Sequence, residues 1–220
     1  MVQVLYNHNS LRREKLLGGE TEANIITVHH LDINLLQLRR FLKTGGPMAT
    51  FKILQYPDPK LRRKGHHVTE IDARISKIID DMFETHYSTK NCAALAATQL
   101  DMPDPPHITV IDFSDQKNSP LCLVNGEIIA SAGEYELEEG CMSIAGAYEK
   151  VKRAEKITVS AMDKHGKPFT FEADGFMAKC VQHELDHLDG KVFLDHLSAL
   201  KRGRIDKRIT KMLRQSARST

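Results

Sequence analysis

The chain has 220 residues, 41% hydrophobic and 27% charged, with 31 Lys and Arg against 29 Asp and Glu for a net charge of +2. That is enough for one domain with its own core plus an appendage, and it excludes a collagenous, low-complexity or wholly disordered chain; no apolar run approaches the roughly 20 residues of a membrane span. Arg12, Arg13, Glu14, Lys15, Glu20 and Glu22 leave no apolar region for a signal peptide, and the four cysteines at 92, 122, 141 and 180 form no CxxC pair or disulfide-like framework, so a cytoplasmic protein is expected.

In chain order, residues 1–47 read as an N-terminal extension, flexible or not native to the domain that follows. It contains "HHLDINLLQLRRFLK", patterned like a short amphipathic helix, and ends on "KTGGPM", where Gly45, Gly46 and Pro47 make a linker. From Met48 the chain begins like an independent protein. Residues 69–88 set Ile71, Ile75, Ile78, Ile79, Met82 and Phe83 at helical spacing behind a cap at Thr69. Strands follow in "HITVIDF", "LCLVNGEII" and "GEYELEE", then in "KITVSAM" and "FTFEA", which "DKHGKP" joins as a hairpin with Gly166 in its loop. Helical pattern returns over 176–188 and again over 198–215, where Leu200, Ile205, Ile209, Met212 and Leu213 share a stripe. Helix, many strands, helix, helix reads as α+β.

The stretch "CVQHELDHLDG" places His183 and His187 four apart, which stacks both imidazoles on one helix face with Glu184 beside the first. One reading is a two-histidine metal site with Glu184 as general base; the plainer one is two partly exposed helix histidines near Asp186 and Asp189. A catalytic metal takes a third protein ligand and keeps one position open. A metzincin protease would supply a histidine three residues after Gly190, where this chain has Phe193. A thermolysin-like protease would supply a downstream glutamate, and none follows Glu184. Asp195 and Asp206 remain as weaker carboxylate candidates. Cys180 shares the helical face but lies about 10 Å of helix rise from His187, so it reads as a buried core cysteine. Upstream, "LEEGCMSIAG" offers Cys141, and a thiolate with two imidazoles makes a tetrahedral S-N-N set suited to zinc or ferrous iron. A third element, "CAALAATQL", sets Gln99 at the end of a small-residue run. Its amide can donate to an oxyanion; equally, the run can be a tight packing crossing.

Together "CAALAATQ", "EGCMS" and "QHELDHLDG" resemble, in order, the three motifs GxGLAAxQ, EGCLS and QHExDHLxG of the peptide deformylases, over about residues 48–215. The resemblance implies a catalytic domain at 48–220, with mixed or antiparallel β-sheets packed around a central metal-binding HExxH helix, between an N-terminal and a C-terminal helix. It implies metal ligands Cys141, His183 and His187, with Fe2+ as the metal and Zn2+ or another divalent ion as substitute. Glu184 would shuttle the proton, with Gln99 and the Met142 backbone N–H stabilising the oxyanion; Ala94, Leu95 and Gly140 would border the substrate. The reaction implied is hydrolytic removal of the formyl group from N-formylmethionyl nascent peptides, releasing formate.

Cys92 and Ala94 depart from both motif glycines, Met142 from the usual leucine and Ala145 from a frequent proline, departures that bear on substrate range and turnover. The alternatives are a catalytically weakened relative that binds a metal or nascent chain, and an HExxH metallopeptidase. Residues 201–220 carry eight Lys or Arg and one acid, Asp206, a local charge of +7 that leaves the first 200 residues at −5. That asymmetry fits a polyanion, and the resemblance points to the ribosome, reached through a basic C-terminal helix at 198–215. The same stripe of apolar residues would also pack that helix on the core while its charges face water. Neither a membrane nor a sequence-specific nucleic acid is expected as a partner.

Overall fold

In the computed structural model, which describes residues 49–217, helix α1 (Ala73–Ser88) starts four residues beyond the expected Thr69 cap. The cap is Asp72, whose Oδ1 accepts the Ile75 N–H at 2.7 Å and whose charge suits the positive end of the helix. The extension 1–47, with its predicted amphipathic helix, lies outside the described residues. Ile75, Ile79, Met82 and Phe83 form the buried stripe of α1, packed with Leu95, Leu100, Ile108, Val110 and Val124. A fully buried side chain of this size contributes roughly 1.5–3 kcal/mol.

Five antiparallel strands form the main sheet: β1 (Ala94–Ala96), β2 (Ile108–Ile111), β3 (Leu121–Ala132) and, later in the chain, β6 (Lys156–Met162) and β7 (Pro168–Asp174), in the order β1-β2-β3-β6-β7. Between β3 and β6 the chain makes a separate two-stranded sheet from β4 (Tyr135–Cys141) and β5 (Ile144–Arg153). All four residues of β2 are buried, as expected of a strand covered on both faces. The β6–β7 hairpin turns at Gly166, whose φ of +79° is the left-handed conformation glycine adopts without strain.

Helix α2 (Gly175–Leu188) lies against β1 and β7, with Ala178, Cys180 and Val181 in a second cluster with Ala94, Ile111, Leu123, Ile157 and Val159. Helix α3 (Ala199–Ser216), capped by Ser198, drops Ile205 and Ile209 into a third cluster with Ile144, Val151, Phe193 and Leu194. The observed class is α+β, with antiparallel sheets and, among the described residues, three α-helices. Among the described residues no helix is long and apolar enough to cross a membrane.

Candidate metal centre

Three elements far apart in sequence meet at one end of α2. The β1 strand and the 3-10 turn after it, Ala97–Gln99, lie along the helix, and Thr98 Oγ1 donates to the His187 carbonyl at 2.7 Å. The last residue of β4, Cys141, brings its sulfur to 3.2 Å from His187 Nε2. Ligand atoms of Cys141, His183 and His187 all lie within 4.8 Å of one another, with both histidines buried. A tetrahedral centre with bonds of about 2.0–2.3 Å needs donors at such separations. Burial pushes the Cys141 thiol up, but the two imidazoles outweigh it and hold the group well below the usual thiol range, toward the thiolate that binds metal. One sulfur and two imidazoles therefore fit a divalent zinc or iron ion in both chemistry and spacing.

His183 is held from behind. Its Nδ1 meets Glu139 Oε2 at 2.9 Å, which leaves Nε2 as the ring nitrogen available to the cluster. Arg153 grips Glu139 through Nε at 2.7 Å and Nη2 at 3.1 Å, and reaches Asp186 through Nη1 at 2.5 Å; Asp186 in turn meets His196 Nε2 at 2.7 Å. Burial would raise the Glu139 carboxyl, but His183 and Arg153 bring it down to about 2. The guanidinium and the Glu139 carboxylate are 5% and 2% exposed, so removing either strands a buried charge, at a cost of about 3–5 kcal/mol. Sequence reasoning missed Glu139, Arg153 and the role of Asp186. One signal was present: Glu139 precedes Cys141 by two residues on a strand, hence on the same face.

Glu184 is 4% exposed, and its Oε2 has no hydrogen-bond partner among the described residues. Burial pushes this carboxyl up, against the pull of His183 and His187. Gln99 is oriented: its Oε1 accepts the Ala96 N–H at 2.8 Å, so Nε2 faces Cys141 Sγ at 3.5 Å and Ser143 Oγ at 3.2 Å. An aimed amide donor and a buried carboxylate oxygen thus flank the sulfur and nitrogen donors. This set can accept a proton and stabilise a developing oxyanion.

The remaining expected residues divide. Leu95 is fully buried in the first core cluster and Ala94 is buried against α2, so any contact they make with a substrate goes through their backbone. The methyl group at Ala94 is thus spent on core packing. Gly140 is exposed, and a side chain there would start 2.5 Å from the Tyr148 ring. Met142 is half-buried in the turn after Cys141. Cys180 is a core cysteine, its thiol driven well above the usual range by burial. The other fixed positions of "QHELDHLDG" have partners too. Gln182 pairs both amide atoms with the Ala154 backbone at 2.9 and 3.0 Å, while at Gly190, with φ of +75°, a Cβ would lie 2.5 Å from the Arg62 carbonyl oxygen.

Residues 50–203 match the family model described as polypeptide deformylase. The chain is 66% identical over 166 residues to peptide deformylase 1 of Coxiella burnetii, an alignment spanning 75% of this chain and 98% of that one. Among solved structures it is similar to a peptide deformylase from Legionella pneumophila, with 43% identity, a TM-score of 0.70 and coverage of 77% of this chain and 99% of the other. Similar too is a peptide deformylase from Ehrlichia chaffeensis solved in complex with actinonin, at 32% identity, a TM-score of 0.68, and coverage of 75% and 98%. Matching over most of its length a family whose three motifs converge here on one buried cluster, the chain belongs to the polypeptide deformylases, metalloenzymes that remove the N-formyl group from nascent chains.

Proposed function

We propose that Cys141, His183 and His187 hold a divalent metal and that Glu184 moves the proton in hydrolysis of the formyl group of N-formylmethionyl peptides. Ferrous iron is the metal this reading names, following the family resemblance, with zinc or another divalent ion as substitute. When bound, the metal supplies Lewis acidity, polarising the formyl carbonyl and acidifying the attacking water. Glu184 accepts the water's proton as the oxygen attacks the formyl carbon. The Gln99 amide and the Met142 backbone N–H donate to the carbonyl oxygen as it gains charge. Glu184 then returns the proton to the nitrogen as the C–N bond breaks, giving formate and a free methionyl amino terminus. The observation that carries this reading is the convergence of one sulfur and two imidazoles beside the unpartnered Glu184 Oε2. The metal-loaded protein should release formate from a formyl-methionyl peptide; absence of formate would overturn the reading.

The catalytic domain is taken to be residues 48–220, in the cytoplasm where nascent chains emerge. A chain starting at Met48 should keep both melting temperature and turnover, and loss of either would move the boundary. Helix α3 is proposed to dock on the ribosome. The two readings of its pattern are compatible, since Ile205 and Ile209 face the core while Arg204, Lys207, Lys211 and Arg214 are exposed. Removing the helix would uncover the core, so charge is the better probe. Changing those four residues together to Gln should weaken ribosome binding and flatten its salt dependence, with turnover of short formyl peptides retained; unchanged binding would refute docking.

A further inference from the structure

The turn that carries Met142 and Ser143 is weak by itself. Cys141 pairs with Ile144 across it, so two residues join β4 to β5, and the register slips between Gly140 and Cys141. Two-residue hairpin loops favour turns with positive φ at one or both central residues. Neither Met142 nor Ser143 has positive φ. Support comes from outside, from the segment Leu54–Tyr56. The Leu54 N–H donates to the Gln99 carbonyl at 2.8 Å, and the Tyr56 N–H to the Ser143 carbonyl at 2.7 Å. Between them, Gln55 Nε2 donates to the Met142 carbonyl at 3.0 Å. Three consecutive residues thus strap both walls of the centre, the Gln99 turn and the Met142 turn. The strap is tied at its far end to α3, where Tyr56 Oη donates to Asp206 Oδ1 at 2.9 Å.

We propose that Gln55 is a positioning residue for deformylation, fixing the Met142 turn so that its backbone N–H and the Gln99 amide stay aimed at the developing oxyanion. The inference rests on the deformylase reading above. The Met142 N–H and C=O flank one α-carbon, so holding the carbonyl limits rotation of the residue that carries the donor. The Ser143 N–H already turns toward Cys141 Sγ at 3.4 Å, so the Gln55 bond grips the turn from its opposite side. Gln55 is exposed, outside the core, and its bond is the side-chain part of a strap whose other two bonds to the site are backbone. It can therefore be changed without unfolding the protein.

An oxyanion donor must sit about 2.7–3.1 Å from the oxygen's eventual position, and a displacement of about 1 Å can cost a hundredfold. Losing one exposed bond loosens the turn without removing the donor, so the expected loss is smaller, about tenfold. The test is steady-state formate release from a formyl-methionyl tripeptide by the metal-loaded full chain. Gln55→Glu, which has no donor, should lower kcat about tenfold with KM unchanged within about twofold, and with melting temperature and metal content as in the wild type. Gln55→Lys, which restores a donor, should recover most of the loss. A KM effect without a kcat effect would make Gln55 a substrate contact, and a drop in melting temperature or metal content a merely structural residue; either overturns the proposal, as does unchanged kcat. Wild-type protein that releases no formate overturns the deformylase reading and this inference with it, whereas active wild type with an unimpaired Gln55→Glu overturns this inference alone.

Discussion

Helices α1 and α2 both bury histidines, to different ends. His86 on α1 is fully buried, edge-on to Tyr87 at 5.1 Å; burial pushes its pKa down, against a backbone contact at Ala93 that pulls it up. His183 and His187 on α2 are buried as well, but each meets a second chemical group: a carboxylate behind His183, a sulfur in front of His187. Burial of a helix histidine therefore does not by itself mark a centre, since His86 is buried as deeply. What marks it is the arrival of donors from other elements at one point, with a charged residue behind to orient the ring.

The strongest way to break this contrast is to remove the donor that α2 does not own. Cys141→Ala should abolish metal retention and turnover, whereas Cys180→Ala should leave both intact, measured as bound metal after dialysis; the reverse pattern would refute the ligand set. Next in size is Glu184→Gln, which keeps fold and metal but cannot accept a proton. Formate release should fall about a hundredfold or more, and near-normal turnover would exclude the proton-shuttle role.

Glu139→Gln sharpens the contrast from behind. The ring of His183 loses its charged partner and Arg153 its main counter-ion, so metal affinity should drop about 10–100-fold in competition with a chelator. The same substitution should alter acid stability. The Glu139 carboxyl lies at about 2 when folded, against 4.5 for the free group. Its stabilisation is complete above 4.5 and is lost as pH falls toward 2, so the variant should show a shallower loss of stability across that window. An unchanged slope would mean that Glu139 is not held as described.

The smallest expected effect belongs to His86. A depressed pKa means that the unfolded chain takes up this proton first, so stability is whole above about 6.5 and declines as pH falls below it. His86→Leu should remove that part of the decline in melting temperature between about pH 6.5 and 5 while changing neutral stability by about 1 kcal/mol or less. If the decline persists in full, another group causes it.

Much of this was legible because it is local. The stripe of α1, the hairpin at Gly166 and the helices at 175–188 and 199–216 follow from spacing within one window, and so does the pairing of His183 with His187. Strands β1 and β5 were not legible. The first is three small residues whose strand character comes from pairing with β2, and the second carries Glu149, Lys150 and Lys152, with Ile144, Ala147, Val151 and Arg153 buried at uneven spacing that gives no clean alternation. The Glu139–Arg153–Asp186 relay was hidden for the same reason. Arg153 is separated by 33 residues from Asp186, and the partner of a buried charge is chosen by the assembled fold.

The central claim is that Cys141 and the two histidines of α2 bind one metal. X-ray absorption at the metal edge of the zinc-reconstituted protein measures this directly. The structure predicts one sulfur at about 2.3 Å with two nitrogens at about 2.0–2.1 Å, and loss of the sulfur shell in Cys141→Ala. A metal shell without sulfur in the wild-type protein would contradict it.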